Sequence, residues 1–336
     1  MIQSSEIRAH MDRLIKPKGS LGQWEAIAER LCVVQQTLHP VVRPAELVVF
    51  AADHGVVESG VSLWPAMITT VMIEQIAQGN SASAVLARLY DLDYRIVDVG
   101  SMNPPRITHP RLSIRRIAPG TKNLSKESAM TVHEFREAFA IGVDEARMTL
   151  QRGVKVVIAG DMGIGNTTSA SCLARLLADV SMEHVVGTGA GATDPSLERK
   201  RSIVRMATDR VIERCGKAID EAGMAAVCGF EVASIAGFFV QSAKQKQTIL
   251  LDGMIATAGA LIAQQFYPEV VEQMIAAHES EEPAHAMMLS QLTLVPMLKW
   301  NMRLGEGTGA LALFPLLEGA AAWITQMTKL DDLELS

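Results

Sequence analysis

The sequence predicts an α/β protein built on a parallel sheet, and three observations carry the prediction. Short apolar, β-branched segments alternate with longer stretches of helical periodicity. The apolar segments lack a polar alternate face, which suits strands covered on both sides by crossover helices. Most of them end in glycine beside a charged residue, a chemistry that turns the chain at one edge of the sheet.

Taken in order, residues 1–40 are helical and strand-free, and "ELVVFAADHG" (46–55) is the first strand. A helical stretch, "PAMITTVMIEQIAQGNSASAVLARLY" (65–90), separates it from the strand "YRIVDVG" (94–100). The helix "HEFREAFAIGVDEARMTLQRG" (133–153) leads to the strand "VKVVIAGDMG" (154–163). A further helix spans 194–216, with Asp194 as its N-cap and Pro195 in the first turn. "AAVCGF" (225–230) and "QTILLDG" (247–253) are read as two more strands, and an apolar helix covers 308–324. The strand-free termini are expected to pack together or to cap the sheet. No internal repeat or low-complexity linker interrupts the chain.

The 336 residues are 49% hydrophobic and 20% charged, with 31 basic against 37 acidic side chains, which gives no electrostatic case for nucleic acid. Arg111, Arg115 and Arg116 form the densest basic patch, read as a solvated face or an oligomer contact. The opening "MIQSSEIRAHMDRLIKP" lacks a cationic region followed by an apolar one, so no secretory signal is expected. Apolar runs such as "ALALFPLLEGAAAWI" are interrupted by Pro315 and Glu318, so no membrane span is expected. Cys32, Cys172, Cys215 and Cys228 show no CxxC spacing and read as buried free thiols of a cytoplasmic protein.

Ligands of open parallel sheets sit beyond the carboxyl ends of the strands. The endings Asp53-His54-Gly55, Asp98-Val99-Gly100, Asp161-Met162-Gly163 and Asp252-Gly253 are each explicable as turns, but together they favour a polar rim with a site. "GDMGIGNTTSASCLARLLA" (160–178) runs from a strand through glycines into a helix, and such a helix start favours phosphate. Gly160 and Gly165 have P-loop spacing, yet Asn166 stands where that motif has lysine, so a phosphate monoester or nucleotide fits better than a nucleoside triphosphate with magnesium.

"VVGTGAGATDP" (185–195) offers Gly187, Gly189 and Ala192 as a weak dinucleotide fingerprint. It reads better as a second glycine loop on the same rim, followed by Lys200, either a phosphate contact or a solvated helix residue. His278, Glu281 and His285 have H-x2-E-x3-H spacing rather than HExxH, and they read as hydrogen-bonded rim or interface residues, with no metal expected. Ser59, Ser62 and Ser101 lie in no nucleophile elbow. In "RLGEGTGA" (303–310), Glu306 sits among glycines before an apolar helix. Two readings stay open: a base brought close to a ligand, or a carboxylate favoured by the helix dipole.

"FAADHGV", "GVSLWP", "RIVDVG", "GDMGIGNTT", "LLDG" and "RLGEGTGA" together resemble the nicotinate-nucleotide–dimethylbenzimidazole phosphoribosyltransferases, over nearly the whole chain from "RLIKPKGSLG" onward. The resemblance implies a Rossmann-like parallel sheet in residues 41–304, carrying the active site, and a small helical domain from 1–40 plus 305–336, in a dimer. It implies transfer of the phosphoribosyl group of nicotinate mononucleotide to an aromatic lower-ligand base of cobamides, releasing nicotinate, with no cofactor and no metal. Glu306 would be the general base, with Asp161 and Asp252 as supporting acids. Met162, Gly163, Gly165, Asn166, Thr167, Thr168, Gly189 and Lys200 would hold the ribose phosphate. Ser62, Trp64, Met67, Val71 and Leu304 would line the base pocket. Three positions depart from the family pattern: Asp161 replaces a glutamate, "VGTGAG" lacks an arginine, and Val71 stands in place of a glutamine. A more apolar pocket opens the alternative of one subunit, active or non-catalytic, of a heterodimer that activates phenol or p-cresol.

Overall fold

The computed structural model describes residues 2–187 and 194–333. A single six-stranded sheet, parallel throughout, organises the chain. Its strands are β1 (Ala45–Ala52), β2 (Asp93–Gly100), β3 (Leu112–Ile114), β4 (Val156–Met162), β5 (Thr248–Leu251) and β6 (Met274–Ala276), in the order β3-β2-β1-β4-β5-β6. The chain builds outward from β1 in one direction, then returns to lay down β4 on its other side. The order is that of a Rossmann sheet, and the switch point lies between β1 and β4.

Side-chain alternation explains why the strands read as unbroken apolar runs. Val48, Phe50 and Ala52 of β1 face one core, while Leu47, Val49 and Ala51 face the other. Helices α1 (Ser4–Asp12), α2 (Gln23–Gln35), α3 (Met67–Gln78) and α4 (Ala82–Leu89) lie on the second face. The first face is covered by α5 (Val132–Gln151), α6 (Asn166–Ala178), α7 (Asp194–Cys215), α8 (Glu221–Ala225), α9 (Phe230–Lys244) and α10 (Met254–Phe266). The short α11 (His285–Gln291) follows β6, and α12 (Thr308–Gln326) returns to the second face. There α12 meets the N-terminal helices: the Trp24 indole N–H donates to the Leu316 carbonyl at 2.7 Å, and Ile15 N–H to Thr328 at 2.9 Å.

Helices α5 and α9 pack closely because Gly142 has no side chain; a Cβ there would collide with the Ser234 carbonyl of α9. Gly142→Ala is expected to destabilise the fold by about 1–3 kcal/mol through overpacking, read as a lowered thermal midpoint.

Several expectations are corrected. Residues 225–230 are no strand: Ala225 closes α8 and Phe230 opens α9. The Val227 and Cys228 N–H groups continue helix-like turns onto Met224, and the Ser169 hydroxyl donates to the Val227 carbonyl at 2.7 Å, so the segment needs no strand partner. The helix expected over 65–90 breaks at Gly79, whose φ of +89° ends α3, and the Ser81 hydroxyl caps α4 by accepting from Ala84 N–H. Helix α7 begins at Asp194 as expected, while the capping expected of the Asp194 side chain, and Pro195, lie outside the described side chains. Pro315 and Glu318 do not interrupt α12, which by length and composition could cross a membrane; 56% of its apolar window is buried within this fold, as in core helices. The three arginines have intramolecular partners: Arg111 stacks over Tyr94, Arg115 pairs with Asp144, and Arg116 donates to the Ser101 carbonyl.

Candidate active site

A cleft of roughly 520 Å³ opens beyond the carboxyl ends of β4, β5 and β6, beside the switch point. Its wall beside β4 is the loop Gly163–Gly165, which leads straight into α6. The loop lies so tightly on the end of β1 that a Cβ on Gly163 would strike the Ala52 carbonyl. Gly165 adopts φ +95° against Val57 and His54. Under it the buried His54 Nε2 lies 2.7 Å from Glu231 Oε1. The Thr69 hydroxyl of α3 accepts the Ile164 N–H at 3.1 Å, tying helix α3 to the loop.

The polar end of the cleft contains Gly163, Asn166 and Thr167. Lys200 of α7 does not itself line the cleft; it donates to Thr167 Oγ1 at 2.8 Å from behind and is only 2% exposed. Burial lowers its pKa and the Glu282 carboxylate partly restores it. The other end is apolar, formed by Trp64, Ile68, Val71, Met72 and Leu304.

The floor holds two carboxylates. Asp161 accepts from Asn166 Nδ2 at 2.8 Å, and its pKa is raised well above the usual range, first by burial and then by the nearby Asp252 and Glu231 carboxylates. Asp161 is thereby pushed toward the neutral acid. Glu306 is 4% exposed and accepts from the Ser83 hydroxyl at 2.7 Å. Its backbone is left-handed, φ +59°, between Gly305 at +89° and Gly307 at +79°. Three such residues in a row fold the segment back onto β4, where a Cβ on Gly160 would strike the Glu306 carbonyl group. Gly160 is thus a strand glycine that seats the Glu306 turn, which replaces its expected place in a P-loop-like spacing.

The remaining wall is the segment after β6. His278 and Ser280 line the cleft, and His285 stands behind them, accepting the Ser280 N–H at Nδ1 (2.9 Å). Nε2 therefore carries the proton and donates to Thr257 Oγ1, also at 2.9 Å. Burial lowers the His285 pKa to about 3, below the ordinary 6.5. Because the folded value is the lower one, the neutral imidazole contributes stability in full above pH 6.5, and that contribution is lost as pH falls toward 3. His285→Gln is expected to flatten the wild-type fall in stability over that window by up to about 1.4 kcal/mol per pH unit, measured by denaturant unfolding at successive pH values.

The expected site residues are distributed as follows. Trp64, Val71, Asp161, Met162, Gly163, Asn166, Thr167, Leu304 and Glu306 all line the cleft. Ser62 and Met67 do not: Ser62 accepts from Trp64 N–H, and Met67 is 60% exposed at the mouth. Thr168 is buried within α6 behind the loop, and Gly165 supports the loop from below. Asp252 does not reach the cleft but accepts from Ala310 N–H at 2.9 Å, at the start of α12. Gly189 and Ala192 lie outside the described residues. Of the strand-end carboxylates, Asp53 and Asp98 tie down the chain around 100–102: Asp53 accepts from Met102 N–H, and Asp98 from Gly100 and Ser101. His278 and His285 are both buried, and Glu281 faces Arg303 instead. The contacts of Ser81, Ser83 and Thr69, and the pairing of His54 with Glu231, carry no sequence signal, since all but the Ser81–Ser83 bond join distant segments.

A glycine loop before a helix, a buried lysine beside it and an apolar slot over a carboxylate floor suit an enzyme that holds a phosphorylated ligand next to a flat apolar one. Residues 3–334 match the family model described as phosphoribosyltransferase. The chain is 38% identical over 321 residues to the nicotinate-nucleotide–dimethylbenzimidazole phosphoribosyltransferase of Cupriavidus taiwanensis, covering 96% of this chain and 92% of that one. It is 35% identical to the Photobacterium profundum protein of the same name, covering 98% and 95%. A crystal structure of CobT from Thermus thermophilus superposes with TM-score 0.91 at 37% identity, covering 98% of this chain and 97% of that one. This chain belongs to the nicotinate-nucleotide–dimethylbenzimidazole phosphoribosyltransferase family.

Proposed function

We propose that the chain transfers the phosphoribosyl group of nicotinate mononucleotide to 5,6-dimethylbenzimidazole or a similar base, giving the α-riboside phosphate and nicotinate for the nucleotide loop of a cobamide. The observation that carries this reading is the meeting of an apolar slot and a phosphate-type loop over Asp161 and Glu306. One nitrogen of the acceptor attacks the anomeric carbon and forms the new C–N bond. The bond to nicotinate breaks, and its electron pair neutralises the pyridinium nitrogen. The second nitrogen loses its proton to Glu306, whose carboxylate would also steady positive charge developing on the sugar. Gly163, Gly165, Asn166, Thr167 and Lys200 hold the phosphate, with Gly189 in the adjoining loop. Asp161, pushed toward its neutral form, acts as a hydrogen-bond donor at the floor. Holding both substrates in one cleft supplies much of the acceleration.

Trp64, Val71 and Leu304 would flank the acceptor, with Ser62 and Met67 at the margin. Leu63 and Met67, each 60% exposed, stand near the mouth beside exposed Trp64 and Leu304, and such a rim supports a dimer that covers it. Helices α1, α2 and α12 would form the small terminal unit. All cysteines are free, which supports a reducing cytoplasm.

Nicotinate release by the purified chain, with dimethylbenzimidazole and p-cresol offered separately, tests the reading. Release with the benzimidazole is expected. Release with p-cresol alone would favour the phenolic alternative, to which the named relatives give no support. Silence with both in a folded protein would reject the chain as a self-sufficient enzyme.

A further inference from the structure

Ser83 of α4 and the N-cap Ser81 connect the carboxylate of Glu306 to the start of that helix. Ser83 Oγ lies 2.7 Å from Glu306 Oε2, and Ser81 Oγ lies 2.9 Å from Ser83 Oγ. A hydroxyl has one proton, and Ser83 gives its proton to Glu306, an acceptor in its ionised form. Ser81 must therefore donate to Ser83. Ser81 in turn accepts the Ala84 N–H at 3.2 Å, in the first turn of α4. Every donor in the series points toward Glu306. Ser81 and Ser83 are 5% and 0% exposed, so water does not compete for these bonds. No other hydrogen bond to the Glu306 carboxylate is made among the described residues.

We infer that Ser83, backed by Ser81, is a positioning residue for the proton-accepting step, an inference that rests on Glu306 being the base. With Oε2 engaged by Ser83, Oε1 would be the oxygen left to take the acceptor's proton. The left-handed backbone of Glu306 carries the side chain into the floor, and the serine fixes its rotation there. Successive donors polarise one another, and the strongest bond of the series is the last, to the charged group. Neither serine lines the cleft, so neither touches substrate.

The test is steady-state kinetics of S83A, S83T, S81A and the S81A/S83A double variant, with Glu306→Gln as reference, using nicotinate mononucleotide and dimethylbenzimidazole. Alanine suits a helix, so α4 should persist in S83A. Loss of a hydrogen bond to a buried charged group should lower kcat about 10- to 100-fold, with the nucleotide KM within about twofold of wild type. S83T, which keeps the hydroxyl, should recover most of the loss. S81A should cost less, and its effect should vanish in the S83A background. A folded S83A with wild-type kcat, or a nucleotide KM that rises as far as kcat falls, overturns the inference. If S83A does not fold, S83C, similar in volume and a weak donor, decides by the same criteria. Wild-type turnover in Glu306→Gln would instead reject the base itself; an inactive Glu306→Gln beside a normal S83A rejects the positioning role alone.

Discussion

Glu306→Gln should fold as the wild type does and lose turnover by about 10²- to 10⁴-fold, the usual contribution of a general base. The amide keeps the shape of the side chain and can still accept the Ser83 hydrogen bond through its oxygen. What it cannot do is take the acceptor's proton at neutral pH. Binding of nicotinate mononucleotide should be nearly unchanged, because the loop proposed to hold the phosphate is formed by another segment. Wild-type nicotinate release would remove Glu306 from the role, and a lost melting transition would make the loss structural.

The second large effect is expected at Lys200. This ammonium is buried, lowered in pKa by that burial, and held against Thr167. Lys200→Met keeps an apolar stem of similar length and removes the charge. A lost charge-assisted bond to phosphate should raise the KM for nicotinate mononucleotide about 10- to 100-fold, with a smaller change in kcat. Nicotinate riboside, which lacks the phosphate, provides the control: the variant and the wild type should use it equally poorly. A selective defect toward the riboside would place the lysine elsewhere in the reaction.

Both residues show what a sequence discloses and what it conceals. Strands β1, β4 and β5 are legible because burial on two faces writes each as a nearly continuous apolar run closed by an aspartate or glycine, and β2 because its exposed or half-exposed residues all precede Ile96. Strands β3 and β6 have three residues each and carry no period that a reader could count. The segment 225–230 has the composition of a strand, but its backbone groups are satisfied by turns around Met224 and by Ser169. The four strand-end aspartates look alike in the sequence, yet only Asp161 borders the cleft; Asp53, Asp98 and Asp252 receive backbone N–H groups. Lys200 is indistinguishable from its charged neighbours on α7 until the tertiary fold turns it toward Thr167. Ser83 gives even less warning, since only the break at Gly79 sets the face that α4 presents to Glu306.

The turn at Gly305–Gly307 rests on Gly160 of the central strand, more than 140 residues earlier in the chain. During synthesis, β1, β2 and β4 leave the ribosome long before the segment that seats Glu306 between them and α4. A nascent chain that has reached β5 already has the loop proposed to hold phosphate, and Asp161 of the floor, but lacks Glu306. It would be able to hold a nucleotide and unable to consume it. With Glu306 as the proposed base, arrival of the last helix would convert a binding protein into an enzyme, and chains cut short before residue 306 are expected to stay silent rather than partly active.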